Sequence, residues 1–172
     1  MADITGRALS AVSSGSPKLM SSAFDWLAHA QEAPHQADRD WRETGIALLP
    51  LGKRFNSVYL PAPVVHIALG TKDTEDVAHA LAELLDGPVI HNRPQHQYYA
   101  LVERTNARAW TQDYPEAPML GDGHLSVPAS DLTGPTGLYW AVRPRIVGDL
   151  CAVPSVAALV HMARDPQRAG AR

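Results

Sequence analysis

Between Asp73 and Pro88 the chain spells out a helix with both ends marked. Asp73 or Thr74 can cap it, Glu75 and Asp76 sit at its positive end, and Val77, Ala78, Leu81, Leu84 and Leu85 form an apolar stripe over Thr74–Leu85. Gly87-Pro88 supplies a C-terminal glycine and a breaker. Short apolar runs closed by turn residues lie on either side. Residues 46–51 suit a buried strand, and 55–60 a second strand stopped by Pro61 and Pro63. Further strands are expected at 89–91, 97–103, 125–127 and 138–142, the second rich in Tyr98, Tyr99, Leu101 and Val102. With 14 prolines and 12 glycines in 172 residues, short elements are favoured over a helical bundle. Helices and strands interleave unevenly. That pattern predicts an α+β fold, a single compact domain with a mostly antiparallel central sheet and packed helices.

Three parts follow from the chain's punctuation. Residues 1–20 are small and polar around Ser13-Ser14-Gly15-Ser16-Pro17 and are expected as a flexible N-terminal tail, with a short helical piece near 8–12. Residues 21–164 form the domain, and 165–172 a disordered basic tail. Within the domain, 22–42 has helical spacing broken at Pro34, giving two pieces that Trp26 and Trp41 can anchor. A short helix is expected over 105–111 and a closing helix over 153–164.

Composition excludes several classes. A net charge of −3 gives no global basic field, so nucleic-acid binding needs a local basic strip. The single cysteine, Cys151, rules out an internal disulfide framework and lies in an apolar stretch, as a buried thiol does. No apolar run of about 18 residues predicts a membrane span, and the first residues lack a secretory signal pattern, so a cytoplasmic location is expected. Eight histidines include no His-Glu-x-x-His helix and no paired metal spacing. Ser126 and Ser130 lie outside any Gly-x-Ser-x-Gly elbow. Gly121-Asp122-Gly123 lacks the lysine and helix start of a phosphate loop and suits a tight hairpin turn.

Three segments say more together. They are Lys53-Arg54-Phe55-Asn56-Ser57-Val58-Tyr59-Leu60-Pro61-Ala62, then Gln95-His96-Gln97-Tyr98-Tyr99-Ala100-Leu101-Val102. The third is Gly121-Asp122-Gly123-His124-Leu125-Ser126-Val127-Pro128-Ala129-Ser130, leading to Tyr139-Trp140-Ala141-Val142-Arg143-Pro144. In order and spacing they resemble the N-terminal domain of bifunctional DNA primase–polymerases, especially short actinobacterial-type members, over roughly residues 45–145. The resemblance implies a primase–polymerase-like fold and a site where carboxylates hold divalent Mg or Mn with a nucleotide. This chain departs from that pattern. Asn56 and Tyr59 stand where the family places its first aspartates, and Ala117 or Met119 where it places the third. Glu116 and Asp122 are close but out of register. His96 resembles the family's triphosphate-contacting histidine, and Lys53 and Arg54 can neutralise a phosphate from the neighbouring strand.

The candidate site is therefore Lys53, Arg54 and His96 for nucleotide phosphate, with Tyr98 and Tyr99 as base-stacking candidates and no catalytic residue. Taken alone, Lys53-Arg54 is a solvated turn, His96 a structural histidine, and the tyrosines sheet-face residues. Three functions stay open. One is a catalytically degenerate primase–polymerase-like domain that binds nucleotide or single-stranded DNA as a replication accessory or regulatory factor. The second is a protein–protein interaction module that kept the fold and lost nucleotide chemistry. The third is an enzyme of another class using His96 and nearby acids.

Overall fold

The computed structural model describes residues 17–167. The expected helical piece at 8–12 and the end of the basic tail, 168–172, lie outside the described residues. In chain order the elements are α1 (Pro17–Ala28), α2 (Pro34–Glu43), β1 (Ile46–Pro50), β2 (Asn56–Pro61), α3 (Ala62–Leu69), α4 (Thr74–Leu85), β3 (Val89–Asn92) and β4 (Gln97–Val102). There follow α5 (Ala107–Asp113), β5 (Met119–Leu120), β6 (His124–Pro128), β7 (Leu138–Val142) and α6 (Val153–Arg164). The fold is α+β, and every pairing between named strands is antiparallel.

Two sheets carry the strands. The larger has the order β5-β2-β4-β3-β7, and β1 with β6 forms a separate two-stranded ribbon. Because successive strand residues point to opposite faces, β2 and β4 divide the interior in two. Val58, Leu60, Tyr98, Ala100 and Val102 meet Val65, Val77, Leu81, Val156 and Leu159 of α3, α4 and α6. Ile90, Leu101 and Trp140 face the other way, against Phe24 and Leu27 of α1, Phe55, and Leu49, Leu125 and Val127 of the ribbon. Aromatic edges and two indole donors lock this second layer. Phe24 meets Trp41 and Trp140 edge-on at 5.3 and 5.6 Å. Trp41 Nε1 donates to Val127 O at 3.0 Å and Trp140 Nε1 to Pro128 O at 2.9 Å, satisfying N–H groups that burial would otherwise leave costly.

Local chemistry accounts for most boundaries. Pro34 starts α2 rather than merely interrupting a helix, since proline fits the first turn where no N–H partner exists. Asp73 caps α4, its Oδ1 accepting from the Glu75 and Asp76 amides at 3.1 and 3.0 Å. Cys151 is buried; its Sγ donates to Pro88 O at 3.4 Å and burial pushes its thiol pKa up, so it is an inert core side chain.

Several expectations are corrected. The strand ends at Pro61 as expected, but Pro63 lies in the first turn of α3, a helix the sequence did not announce. The helix α1 begins at Pro17, within the segment expected as tail. The left-handed residue ending α4 is Asp86 (φ 49°), not Gly87. Gly87 is needed for space, since a Cβ there would lie 2.4 Å from Cys151 N. β1 is not buried on both sides but alternates, with Leu48 56% exposed. Residues 121–123 do not close a hairpin, because β5 and β6 belong to different sheets.

That crossing between sheets depends on close backbone approach. A Cβ on Gly52 would lie 2.2 Å from Gly121 O, and Gly52 has φ +81°. Gly52→Ala should therefore destabilise the domain by about 2–4 kcal/mol, combining left-handed strain and overpacking. Urea titration should show a lower midpoint with an unchanged m-value; a wild-type midpoint would refute the contact.

Candidate functional site

Asn56 begins β2 opposite Val102 of β4 and is 3% exposed. Its Nδ2 donates to Thr105 O at 3.2 Å and lies 3.5 Å from Met119 Sδ. The first position where the resemblance expects an aspartate and one of the two where it expects the third thus meet in space, but as an amide and a thioether. Tyr59 is on the opposite face of β2, tilted against Tyr99 with centroids 5.8 Å apart. Ala117 is buried, and its carbonyl accepts from Trp110 Nε1 at 2.7 Å. These residues do not fit a two-metal polymerase centre: Asn56, Met119 and Val102 carry no charge, and divalent magnesium needs carboxylate oxygens. Among the described residues no three His, Cys, Asp or Glu side chains converge on one point.

Above Asn56 lies an open groove of about 670 Å³ between the turn after β1, the turn after β5, and α5 with the segment leading to it. Arg104, Arg108 and Gln112 stand on one wall, with Gly52, Gly121 and Asp122 on the other. Both guanidiniums are on exposed residues and form no ion pair among the described residues. The arginine wall is clamped from behind. Arg164 of α6 donates to both carboxylate oxygens of Glu116 at 2.7 and 2.9 Å and to Asp113 O at 2.6 Å, and it lies over Tyr114 at 4.8 Å. The hydrogen bond from Arg164 holds the Glu116 carboxyl down at about 2. The sequence reading placed a short helix over 105–111 but did not single out Arg104 and Arg108. Their signal was a pair of cations flanking a helix start with no acidic partner at i±3 or i±4.

The sequence-proposed residues are not brought together. Lys53 and Arg54 occupy the turn before β2, where Arg54 lies over the Trp26 ring at 5.4 Å. His96 is exposed in the turn between β3 and β4, beyond the far end of β2, where Pro61 pairs with Gln97. Five residue steps of strand, about 17 Å, separate the two ends. Tyr98 is 1% exposed, with His91 stacked flat on it at 4.0 Å. Tyr99 is half-buried, its hydroxyl donating to Gln97 Oε1 at 2.6 Å.

His91 is the most perturbed imidazole. It is buried, and Nδ1 lies 2.6 Å from the Tyr139 hydroxyl. Burial, then the charges of Arg93, His66 and His96, pull its pKa down to about 4. Comparison with models of protein families, with curated proteins and with solved structures finds no match to this chain.

Since the folded state favours neutral His91, the unfolded chain binds the extra proton between the two pKa values. The stabilisation is complete above about pH 6.5 and is lost as pH falls toward 4, by roughly 3 kcal/mol. Glu116 acts in a lower window, losing its contribution as pH falls from 4.5 to about 2. Denaturant midpoints measured from pH 7.5 to 4 should fall steadily in the wild type and much less in His91→Phe. Equal slopes would rule out His91 as the cause.

Proposed function

We propose that this chain is a catalytically silent primase–polymerase-like domain that holds the phosphates of a nucleotide or single-stranded DNA in the groove lined by Arg104 and Arg108. The reading rests on one observation: two arginines without ion-pair partners among the described residues line an open groove directly above the buried Asn56–Met119 contact. A guanidinium with free donors binds phosphate oxygens in a forked geometry. Phosphate binding of this kind needs no metal, which suits a groove whose lining contains a single carboxylate, Asp122. Chain extension is a different demand, because two divalent ions must bridge the attacking oxygen and the triphosphate. The functional role that follows is recognition, in a replication accessory or regulatory factor.

A second reading, a protein-interaction module, has its own observation. The segment 143–149 presents Ile146 and Val147 to solvent, at 50% and 54% exposure. Its base is held stiffly: Arg145 binds Asp149 through its backbone N at 2.8 Å and its Nε at 3.1 Å, and reaches Asp86 Oδ1 at 3.0 Å. A rigid apolar tip loses little entropy on docking.

Thermal shift with dNTPs and short single-stranded DNA separates the two readings. Ligand at a hundred times its dissociation constant should stabilise the protein by about 2.7 kcal/mol. The increment should persist in EDTA, shrink in Arg104→Ala/Arg108→Ala, and be unaffected by Lys53→Ala. A flat response to every ligand refutes the nucleotide reading and leaves the interaction module.

A further inference from the structure

We infer that the floor of the arginine groove is a base subsite, in which the Asn56 carboxamide oxygen accepts from the N–H edge of a nucleobase, so that the groove takes a guanine nucleotide before any other. This rests on the reading of the groove as a phosphate site and concerns what lies beyond the phosphate.

The groove is charged at its rim and neutral at its floor. Arg104, Arg108 and Asp122 are exposed, whereas Asn56 and Met119 are buried and still line it. The orientation of the Asn56 amide is set by its neighbour. Thr105 O can only accept, so Nδ2 turns toward it at 3.2 Å and Oδ1 is the atom left over. Oδ1 has no hydrogen-bond partner among the described residues. Nor is it sealed from solvent, as the unpartnered polar atoms of Gln31, Ser57 and Tyr98 are. Asn56 is only 3% exposed, so an open acceptor on its side chain serves the groove that it lines.

Gly121 keeps that acceptor accessible. Its φ is not positive, so the backbone does not require glycine there. A Cβ would lie 3.6 Å from Asn56 Nδ2 and 3.7 Å from Oδ1, in contact with the amide, and 3.2 Å from Ala107 Cβ. The bare residue leaves the space between the turn after β5 and α5 clear, and the amide faces it.

What fits that space follows from the floor's donors and acceptors. The side-chain donors are spent: Asn56 Nδ2 on Thr105 O, Thr105 Oγ1 on Met119 Sδ at 3.4 Å, and Thr111 Oγ1 on Ala107 O at 2.8 Å. The Met119 thioether and the Ala107 methyl are apolar, beside the bare backbone of Gly52 and Gly121. A sugar carries hydroxyls on every side and would leave most of them unmet against such a surface. A base is planar, its faces need no hydrogen bond, and a thioether packs favourably on an aromatic ring. Its edge must then offer donors to Oδ1. Guanine presents N1–H and its 2-amino group side by side, both donors. Adenine, cytosine and uracil each place an acceptor beside the donor on that edge, and the floor has no side-chain donor left to meet it. The groove, about 670 Å³, falls within the range of small-molecule clefts. A nucleotide so placed directs its phosphate to the arginines at the rim.

Calorimetric titration of the full chain with GMP, AMP, CMP, UMP and ribose 5-phosphate, all in EDTA, tests the subsite. GMP should bind about tenfold or more tighter than ribose 5-phosphate and than the other three nucleotides, the worth of one hydrogen-bonded edge. Asn56→Leu and Gly121→Ala should each bring GMP down to the affinity of ribose 5-phosphate, with ribose 5-phosphate itself unaffected. A substitution that merely loosened the fold would weaken both ligands together and leave their ratio intact. Arg104→Ala/Arg108→Ala should weaken all five ligands. One affinity for all five, or a preference for another base, overturns the base subsite and leaves the phosphate reading standing. So does a GMP-to-ribose 5-phosphate ratio unchanged in both Asn56→Leu and Gly121→Ala. No binding of any ligand, ribose 5-phosphate included, refutes the phosphate reading and the subsite with it.

Discussion

β2 and β4 pair over their whole length, with Asn56 opposite Val102 at one end and Pro61 opposite Gln97 at the other. Each buries side chains on both faces, so a shift of one residue in register would send Val58, Leu60, Tyr98, Ala100 and Val102 into the wrong core. Both layers of the protein are organised by that alternation. Helices α3, α4 and α6 cover one face; α1, α2 and the β1–β6 ribbon cover the other. A strand buried on both sides can offer chemistry only at its ends. The two groups of interest here, the arginine groove and the histidine–tyrosine cluster, lie toward opposite ends of this strand pair.

The same geometry explains what the sequence disclosed. Thr74–Leu85, Leu138–Val142 and Val153–Arg164 were legible to the residue, because each has an uninterrupted period and a marked boundary. α3 was not, because Pro61-Ala62-Pro63 has the form of a strand terminator and only the backbone direction after Pro61 reveals a proline in a first helical turn. β5 has two residues, too few for any period, and the division into two sheets depends on long-range pairing of β1 with β6 that no local signal carries. The candidate site suffered most. Lys53, Arg54 and His96 are close in sequence order to the strands they flank, yet strand length separates them. Arg104 and Arg108 come together with Asn56 only because β4 returns to the start of β2.

Where the acidic side chains went is equally informative. Asp73 caps α4, Asp149 is buried against Arg145, and Glu116 holds Arg164. Each carboxylate is committed to holding structure. The floor of the groove has gone the other way: Asn56 and Met119 make a neutral contact that needs no metal to relieve charge repulsion, whereas two aspartates there would disfavour one another's ionisation. A groove floored in this way is already stable when empty. The arginines above it keep their positive field without a cation bound below.

Surfaces for a protein partner are narrowed by how the ribbon ends. The outer edge of β1 is the obvious place for another strand to add, but its polar groups are largely engaged or missing. Gln31 Nε2 donates to Leu48 O at 2.7 Å, Thr44 Oγ1 bonds both Ile46 N and Ile46 O, and Pro50 has no N–H. These are the devices by which edge strands resist pairing. The loop bearing Ile146 and Val147 has no such protection and is stiffened by ion pairs at its base rather than by its tip. A partner that docks on this protein therefore finds more free energy at that loop than at the sheet edge, because apolar area there can be buried without first breaking a hydrogen bond.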